Sequence, residues 1–407
     1  MPTSAALTLS AARALHLAAQ GLLTPPKRQA SKADVLHCIR QMGALQIDTI
    51  NVVARSPYLV LWSRLGHFQN QWLEELLAEG KIFEYWAHEA CFLPIEDYGL
   101  YRHQMISPLS MGWKYNHRWL SENAAQVEQI RQHIHQQGAS RSADFERKEG
   151  KGNGWWSWKP EKRSLEVLFT IGELMVARRH NFQRIYDLRE RVHPKWSDEH
   201  HLQPQLECQR QQVLMAVKAL GICKASWVAD YFRMKKLDPA IQPATLAKQG
   251  LLLSTEVEGW EQVAYVHPDH RALLKQAAAG TLKPSATRIL SPFDPVVWDR
   301  KRASELFGFD YKIECYTPEA KRRYGYFTLP LLRRGALIGR MDAKAHRKDG
   351  IFEIKKLHLE PDVRVSQAMA SDVAMAIRQF ASWHGTEQVR LEWTSSDNFL
   401  KLIRPLL

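Results

Sequence analysis

The 407-residue sequence has little cysteine and no long apolar run. Its five cysteines are odd in number, and no two of them form a C-x-x-C pair, which argues against a disulfide framework and against a zinc site. We therefore expect reduced thiols, no metal and no cofactor. No apolar run approaches the ~20 residues of a membrane span, and the N-terminus has no signal-peptide layout. These absences predict a cytoplasmic protein without a membrane partner.

Acidic residues are also comparatively few. The chain has 56 Lys and Arg residues against 43 Asp and Glu, a formal net charge of +13 and a pI near 9.5. A protein with this excess is expected to bind a polyanion. Nucleic acid is the first candidate and an anionic membrane surface the second. The length corresponds to two to four domains of ~150 residues.

Helices followed by strand-like ribbons recur along the chain, an order typical of winged helix-turn-helix units. We predict three such units, over 1–110, 111–200 and 201–285, followed by a C-terminal segment over 286–407. That segment contains predicted strands at 311–316, 324–332, 336–344 and 351–359, a helix at 366–383 and a strand at 388–393. The predicted fold class is α+β, with three tandem winged helices, a small antiparallel β-barrel and a C-shaped clamp overall.

Two local patterns in this series give specific helix predictions. Ser31 and Asp34 have the spacing of a capping box, which predicts a helix that runs to about Met42 and stops at Gly43. Apolar residues at helical spacing predict an amphipathic helix over 165–179 that ends in Arg178 and Arg179.

The segment 45–57 is the candidate catalytic segment. It begins Leu-Gln-Ile-Asp, and in a strand Gln46 and Asp48 would project from the same face, ~6.6 Å apart. A carboxylate can stabilise a developing sugar cation and activate water, while a neighbouring amide orients that water. The alternative is structural, since Gln and Asp near a helix end also satisfy backbone groups in turns.

Basic and aromatic residues in five places are candidates for DNA contact. The loop 151–160 mixes three indoles with lysines, and its aromatic rings could stack on bases or could instead dock the loop onto its own domain. A predicted hairpin ends in two arginines and a glycine and would fit a minor groove. The predicted contacts are Arg55, Trp155, Lys159, Arg178, Arg179, Arg333, Arg334, Lys344 and Arg347.

Four stretches together resemble a known family. They are 45–57, the run EYWAHEA at 84–90, the run SPFDPVVWDR at 291–300 and the run KRRYGYF at 321–327. These motifs are similar to those of the YcaQ-type, AlkZ-like bacterial DNA glycosylases, and the resemblance extends over nearly the whole chain. His88 and Glu89, within the second stretch, could support the site or form a buried pair.

The resemblance implies a monofunctional glycosylase of base excision repair. It implies hydrolysis of cationic N7-alkylated guanines, unhooking of interstrand crosslinks, and Gln46 and Asp48 as the catalytic residues. It also implies a DNA-binding hairpin, which we place at 333–335. The partner would be double-stranded DNA that contains alkylated or crosslinked guanine, which would associate the protein with the nucleoid, and we expect a monomer. The alternative is a non-enzymatic winged-helix regulator in which Gln46 and Asp48 are structural.

Overall fold

The computed structural model describes residues 6–145 and 160–407. The chain forms two compact units. The first unit combines 1–69 with 213–407, and the second unit comprises 70–212. The fold is mixed α+β, as predicted.

The first unit opens with helices that are capped locally. Ser31 and Asp34 form the predicted capping box, and the helix ends at Gly43, whose φ of 70° is left-handed. Both features confirm the helix prediction. The opening elements are α1 Leu9–Ala19, α2 Lys32–Met42, β1 Leu45–Gln46 and α3 Ser56–Leu65.

The second unit alternates helices with two antiparallel hairpins. Strand β2 pairs with β3, and β4 pairs with β5. Its elements are α4 Gln71–Ala78, β2 Ile82–Ala87, β3 Glu89–Pro94, α5 Tyr98–Ile106, α6 His117–Glu122, α7 Ala124–Gln137, α8 Pro160–Thr170, β4 Leu174–His180, β5 Gln183–Leu188, α9 Arg189–Val192 and α10 Asp198–His201, and α11 Gln205–Leu220 begins here.

The predicted helix over 165–179 is wrong in its second half. Helix α8 ends at Thr170, and Gly172 takes a φ of 69°. A Cβ atom at Gly172 would lie 2.7 Å from the Met105 sulfur, so this turn favours glycine. The apolar residues that follow belong to β4, where Leu174 pairs with Leu188 in the hairpin. Short apolar runs of this kind fit a strand or a helix equally well, and the partner strand decides between them.

The remaining elements complete the first unit. In chain order they are β6 Cys223–Lys224, α12 Ala225–Tyr231, α13 Pro243–Lys248, β7 Leu253–Thr255, β8 Ala264–Val266, α14 Arg271–Ala278, β9 Thr287–Ile289, α15 Arg300–Phe307, β10 Thr328–Arg333, β11 Ala336–His346, β12 Ile351–Leu359, α16 Gln367–Trp383, β13 Gln388–Thr394 and α17 Asp397–Ile403.

The C-terminal sheet differs from the predicted antiparallel barrel. Its strand order is β13-β12-β11-β10-β9, so within the described chain the sheet is open, with β13 and β9 at its edges. The β12/β13 pairing is parallel, which requires a crossover connection, and α16 lies in that connection. The apolar side of α16, which includes Val373, Ile377 and Phe380, is buried. A helix that covers the sheet removes the need for closure.

One predicted strand of this segment is absent. Residues 311–316 have no regular secondary structure, and Glu314 within them holds a loop together. The Glu314 carboxylate accepts hydrogen bonds from the backbone N–H groups of Arg323, Tyr324 and Gly325, at 2.7–3.1 Å. The strand predicted at 324–332 therefore begins only at Thr328.

The winged-helix units, the clamp and the domain boundaries at 110, 200 and 285 stay predictions. Along 6–145 and 160–407, every helix is too short or too polar to cross a membrane.

Candidate active site and nucleic-acid interface

Gln46 and Asp48 lie where a short strand gives way to an irregular segment. Strand β1 ends at Gln46, so the predicted strand geometry does not extend to Asp48. Asp48 instead turns the chain, since its Oδ1 accepts a hydrogen bond from the backbone N–H of Ile50 at 2.8 Å. This is the Asx-type contact that competes with strand structure.

The Gln46 side chain is buried, with 7% exposure. Its Oε1 accepts no hydrogen bond from the described residues. A buried acceptor without a donor costs ~1–3 kcal/mol, so a water molecule or a substrate group is the natural donor here. The amide is thus available to orient a nucleophile.

The Asp48 side chain is half-buried. Burial raises the pKa of its carboxyl group above the ordinary value, and the hydrogen bond from Ile50 opposes that rise. One carboxylate oxygen is committed to Ile50, which sets the orientation of the group. The other oxygen is available for a substrate.

The β11/β12 hairpin fixes the segment between Asp48 and α3. The backbone N–H of Ala345 donates to the carbonyl of Val52 at 3.1 Å. The guanidinium of Arg347, at the hairpin tip, donates to the carbonyl of Val53. The candidate catalytic segment is therefore attached to a hairpin almost 300 residues later in the chain.

The SPFDP motif, residues 291–295, fixes the other end of this segment. The hydroxyl oxygens of Ser56 and Ser291 lie 3.0 Å apart at a buried position. Asp294 forms a buried, two-pronged ion pair with Arg64 of α3, with one Nη2–Oδ1 distance of 2.9 Å. Such a pair is geometrically specific. The motif therefore holds both ends of α3, the first residue through Ser291 and the last turn through Asp294.

Two of the predicted DNA contacts, Arg55 and Arg347, come together at the candidate catalytic segment. Arg55 immediately precedes α3 and is half-buried. Burial and the positive charge of Arg55 lower the pKa of Arg347. Two guanidinium groups that repel each other gain from an anion between them, and a DNA phosphate is such an anion. Lys344 and Lys348 are exposed on the same hairpin.

The hairpin predicted at 333–335 exists, but its arginines are paired. Strands β10 and β11 are joined there, with Arg333 opposite Ala336. Asp372 of α16 forms ion pairs with Arg333 at 2.7 Å and with Arg334 at 3.0 Å. The β10/β11 tip therefore offers less positive charge than its sequence indicates.

Of the two DNA contacts predicted on β4 of the second unit, one is exposed and the other is buried in an ion pair. Arg178 is exposed on β4, whereas Arg179 is buried and paired with Glu84. A strand alternates its side chains, so these neighbours face opposite sides. Trp155 and Lys159 lie outside the described residues.

His88 is buried between β2 and β3, and its carbonyl accepts a hydrogen bond from the Cys91 thiol.

Sequence reasoning missed Tyr316. Its ring is 85% exposed. Desolvation, with a smaller contribution from the negative charge of Asp48, raises the pKa of Tyr316 and that of Cys315. The sequence did contain an indication that Tyr316 lies in a loop. Thr317 and Pro318 follow it directly, and this pair favours a turn over a strand.

The described residues contain no cluster of three or more His, Cys, Asp or Glu side chains that could hold a metal ion.

Comparison with known proteins identifies the family. The model of the family described as "DNA glycosylase AlkZ-like" matches residues 39–383. The fold is similar to the solved structure of the Streptomyces sahachiroi DNA glycosylase AlkZ, with a TM-score of 0.62 and 14% sequence identity over 95% of this chain and 100% of that chain. The family match includes Gln46, Asp48 and the whole β11/β12 hairpin. The chain belongs to the AlkZ-like family of DNA glycosylases.

Proposed function

We propose that this glycosylase hydrolyses the N-glycosidic bond of cationic N7-alkylated guanine, with Asp48 and Gln46 as its catalytic residues. One observation supports it most directly. Gln46 Oε1, a buried acceptor with no donor among the described residues, lies two residues before an oriented and partly desolvated carboxylate.

The charge of the substrate decides what the enzyme must supply. N7 alkylation places a positive charge on the base, so the base leaves as a neutral molecule and needs no general acid. The sugar becomes an oxocarbenium-like cation as the C1′–N9 bond breaks. The Asp48 carboxylate stabilises this cation, and a half-buried position strengthens that interaction relative to bulk water.

Water then completes the reaction. Gln46 Oε1 accepts a hydrogen bond from the water and orients its oxygen toward C1′. Asp48 takes the proton as the C1′–O bond forms, so the products are the free base and an abasic site. The candidate catalytic segment has no lysine to form a Schiff base, so we expect no strand cleavage.

The same position suits a crosslinked guanine. A base tethered to the opposite strand cannot rotate into a deep pocket, as glycosylases commonly require. Asp48 is half-exposed on an irregular segment, where such a base can approach it without full extrusion. We therefore include interstrand crosslinks among the substrates.

We further propose that the β11/β12 hairpin contacts the DNA, in place of the β10/β11 hairpin. Its tip bonds to the candidate catalytic segment through Arg347, and it presents Lys344 and Lys348 to solvent. The arginines of the β10/β11 tip are paired with Asp372. Contact of this hairpin with DNA would place Asp48 near the same stretch of duplex.

The test is base release from a duplex with one N7-methylguanine, measured under single-turnover conditions, and from an N7-linked crosslink. Asp48→Asn and Gln46→Ala should lower the rate by roughly 10²-fold or more while DNA affinity is retained. Asp362→Asn, at an exposed acid in the first unit, is the matched control and should match the wild type.

The regulator alternative predicts a different result. Wild-type protein that binds the duplex and releases base from neither substrate would contradict the proposal. Full activity in Asp48→Asn would refute the catalytic assignment alone.

A further inference from the structure

Tyr316 is the most exposed of the large hydrophobic side chains in the described part of the chain, at 85%. It lies in a loop of the first unit, 314–325, which has no regular secondary structure before the short turn at Glu319–Lys321. An aromatic ring in this position contributes little to the core.

The loop that bears Tyr316 is held rigidly. The buried Glu314 carboxylate accepts the three backbone hydrogen bonds described above, and the Glu314 carbonyl accepts a fourth from Thr317 N–H at 2.9 Å. The Arg322 guanidinium donates to the Thr317 carbonyl at 2.8 Å. Tyr316 thus extends from a preorganised loop, so that placing its ring against a ligand costs little conformational entropy.

This loop lies beside the candidate catalytic carboxylate. Partial desolvation of the hydroxyl, the neighbouring Cys315 and the negative charge of Asp48 raise the pKa of Tyr316. The same Asp48 charge contributes, after burial, to a raised pKa of the Cys315 thiol.

The geometry agrees, because Gly325, which bonds to Glu314 in this loop, packs against the Asp342 carboxyl group of β11. Three residues further along β11, Ala345 donates to the Val52 carbonyl of the candidate catalytic segment. The loop and that segment are thus attached to the same part of one strand, which brings the ring within reach of a base whose sugar contacts Asp48.

Next to Tyr316 lies a second aromatic ring with a cation beside it, a combination that is typical of nucleic-acid binding sites. The Arg322 guanidinium lies over the Tyr326 ring, 5.0 Å from its centroid, and Tyr326 is 37% exposed. An exposed aromatic ring with a cation next to it can bind a base on its face and a phosphate at its edge.

We propose that Tyr316 stacks on the alkylated base and selects for its positive charge. This inference rests on the proposed function. An N7-alkylated guanine is a planar cation, and the electron-rich face of a phenol ring attracts a cation more strongly than a neutral base of the same shape. Tyr316 is then a positioning residue that distinguishes the lesion from ordinary guanine, while Asp48 and Gln46 act on the sugar and the water.

The experiment changes the electrostatics of the ring without changing its shape. Phenylalanine and its mono-, di- and trifluorinated analogues are placed at position 316 of the full chain. Single-turnover base release from N7-methylguanine DNA and the affinity for that DNA are measured for each. Fluorine withdraws charge from the ring face, so the affinity for the lesion should fall stepwise, in total on the order of tenfold.

Two further variants complete the design. Tyr316→Leu removes the aromatic face and should weaken lesion binding on the order of tenfold, with affinity for undamaged DNA unchanged. Trp393→Leu is the matched control, since Trp393 is an exposed aromatic on β13 whose described ring contact is with His358.

Each outcome decides the proposal. A stepwise decline through the fluorinated series supports charge recognition by the ring. Equal affinities across the series, or an unaffected Tyr316→Leu, would overturn it even though the wild type is active. A wild type that releases no base would overturn the proposed function itself, and the stacking role with it.

Discussion

At the scale of a single residue, two opposing effects set the pKa of Asp48. Partial burial disfavours its charged form, and the hydrogen bond from Ile50 favours it. Burial is the larger influence, so the carboxyl group has a higher pKa in the folded protein than in the unfolded chain. A carboxyl group with a raised pKa lowers stability where it is ionised, and such shifts are common at catalytic sites.

The pH dependence of activity should reflect that shift. If Asp48 acts as proposed, hydrolysis requires its carboxylate, so activity should rise with pH through the Asp48 pKa and then level off. We expect the acidic limb of the kcat/KM profile to lie above the ordinary aspartate pKa of ~3.9. The residual activity of Asp48→Asn should lack this limb. A limb that persists unchanged in that variant would assign it to another group.

Stability should respond in the opposite direction. Because the folded-state pKa is raised, ionisation of Asp48 opposes folding, and the stability that its protonated form provides is lost as the pH rises through the unfolded and then the folded pKa. At neutral pH, Asp48→Asn should therefore unfold at an equal or higher denaturant concentration than the wild type. A lower midpoint would show that the carboxylate is structural.

At the scale of secondary-structure elements, a buried ion pair connects two hairpins of the second unit. Glu84 on β2 accepts from Arg179 on β4 at 2.8 Å and from Arg184 on β5 at 2.9 Å. Burial would raise the pKa of Glu84, but the charges and hydrogen bonds of the two arginines outweigh it and the pKa is lowered. The stability from this group is therefore present above the unfolded-state pKa and lost as the pH falls through the folded-state pKa.

Removing Arg179 should accordingly affect folding more than DNA binding. Arg179→Ala leaves part of the buried Glu84 charge uncompensated, and we expect a loss of ~3–5 kcal/mol in the free energy of unfolding, measured by denaturant titration. The exposed neighbour is the control, since Arg178→Ala should leave the unfolding midpoint unchanged. If Arg179→Ala instead weakens DNA binding at unchanged stability, the original prediction of a DNA contact is correct.

At the scale of the whole molecule, the two units differ sharply in charge. The first unit contains 37 of the 56 basic residues and 23 of the 43 acidic ones, for a net charge of +14, whereas the second unit has a net charge of −1. The electrostatic attraction for DNA therefore belongs to the first unit, which also contains Gln46, Asp48 and the β11/β12 hairpin.

The salt dependence of DNA binding should show this division. A lysine that contacts a phosphate adds about one to the slope of log K against log salt. Lys348→Ala, at the β11/β12 tip, should reduce the slope by about one. Lys195→Ala, at an exposed lysine of the second unit, should leave it unchanged. Equal effects of the two substitutions would contradict a footprint confined to the first unit.

Several features of this protein could be predicted from the sequence because their causes are local. The capping box at Ser31, the stop at Gly43 and helix α16 after Ser366 all depend on residues a few positions apart. The motif that begins at Gln46 and the motif around Asp294 are contiguous, so the family could be predicted from the sequence and is confirmed by the family match over 39–383.

Only the tertiary structure decided which basic residues are available to DNA. Arg333 and Arg334 meet Asp372 almost 40 residues away, and Arg179 meets Glu84 across 95 residues. Charge pairing of this kind depends on contacts between distant parts of the chain, and a list of cations cannot reveal it. Contacts between separate parts of the chain also decided two elements of secondary structure. Residues 174–180 form a strand because they pair with β5, and residues 311–316 form a loop because Glu314 bonds to the backbone of Tyr324 and its neighbours.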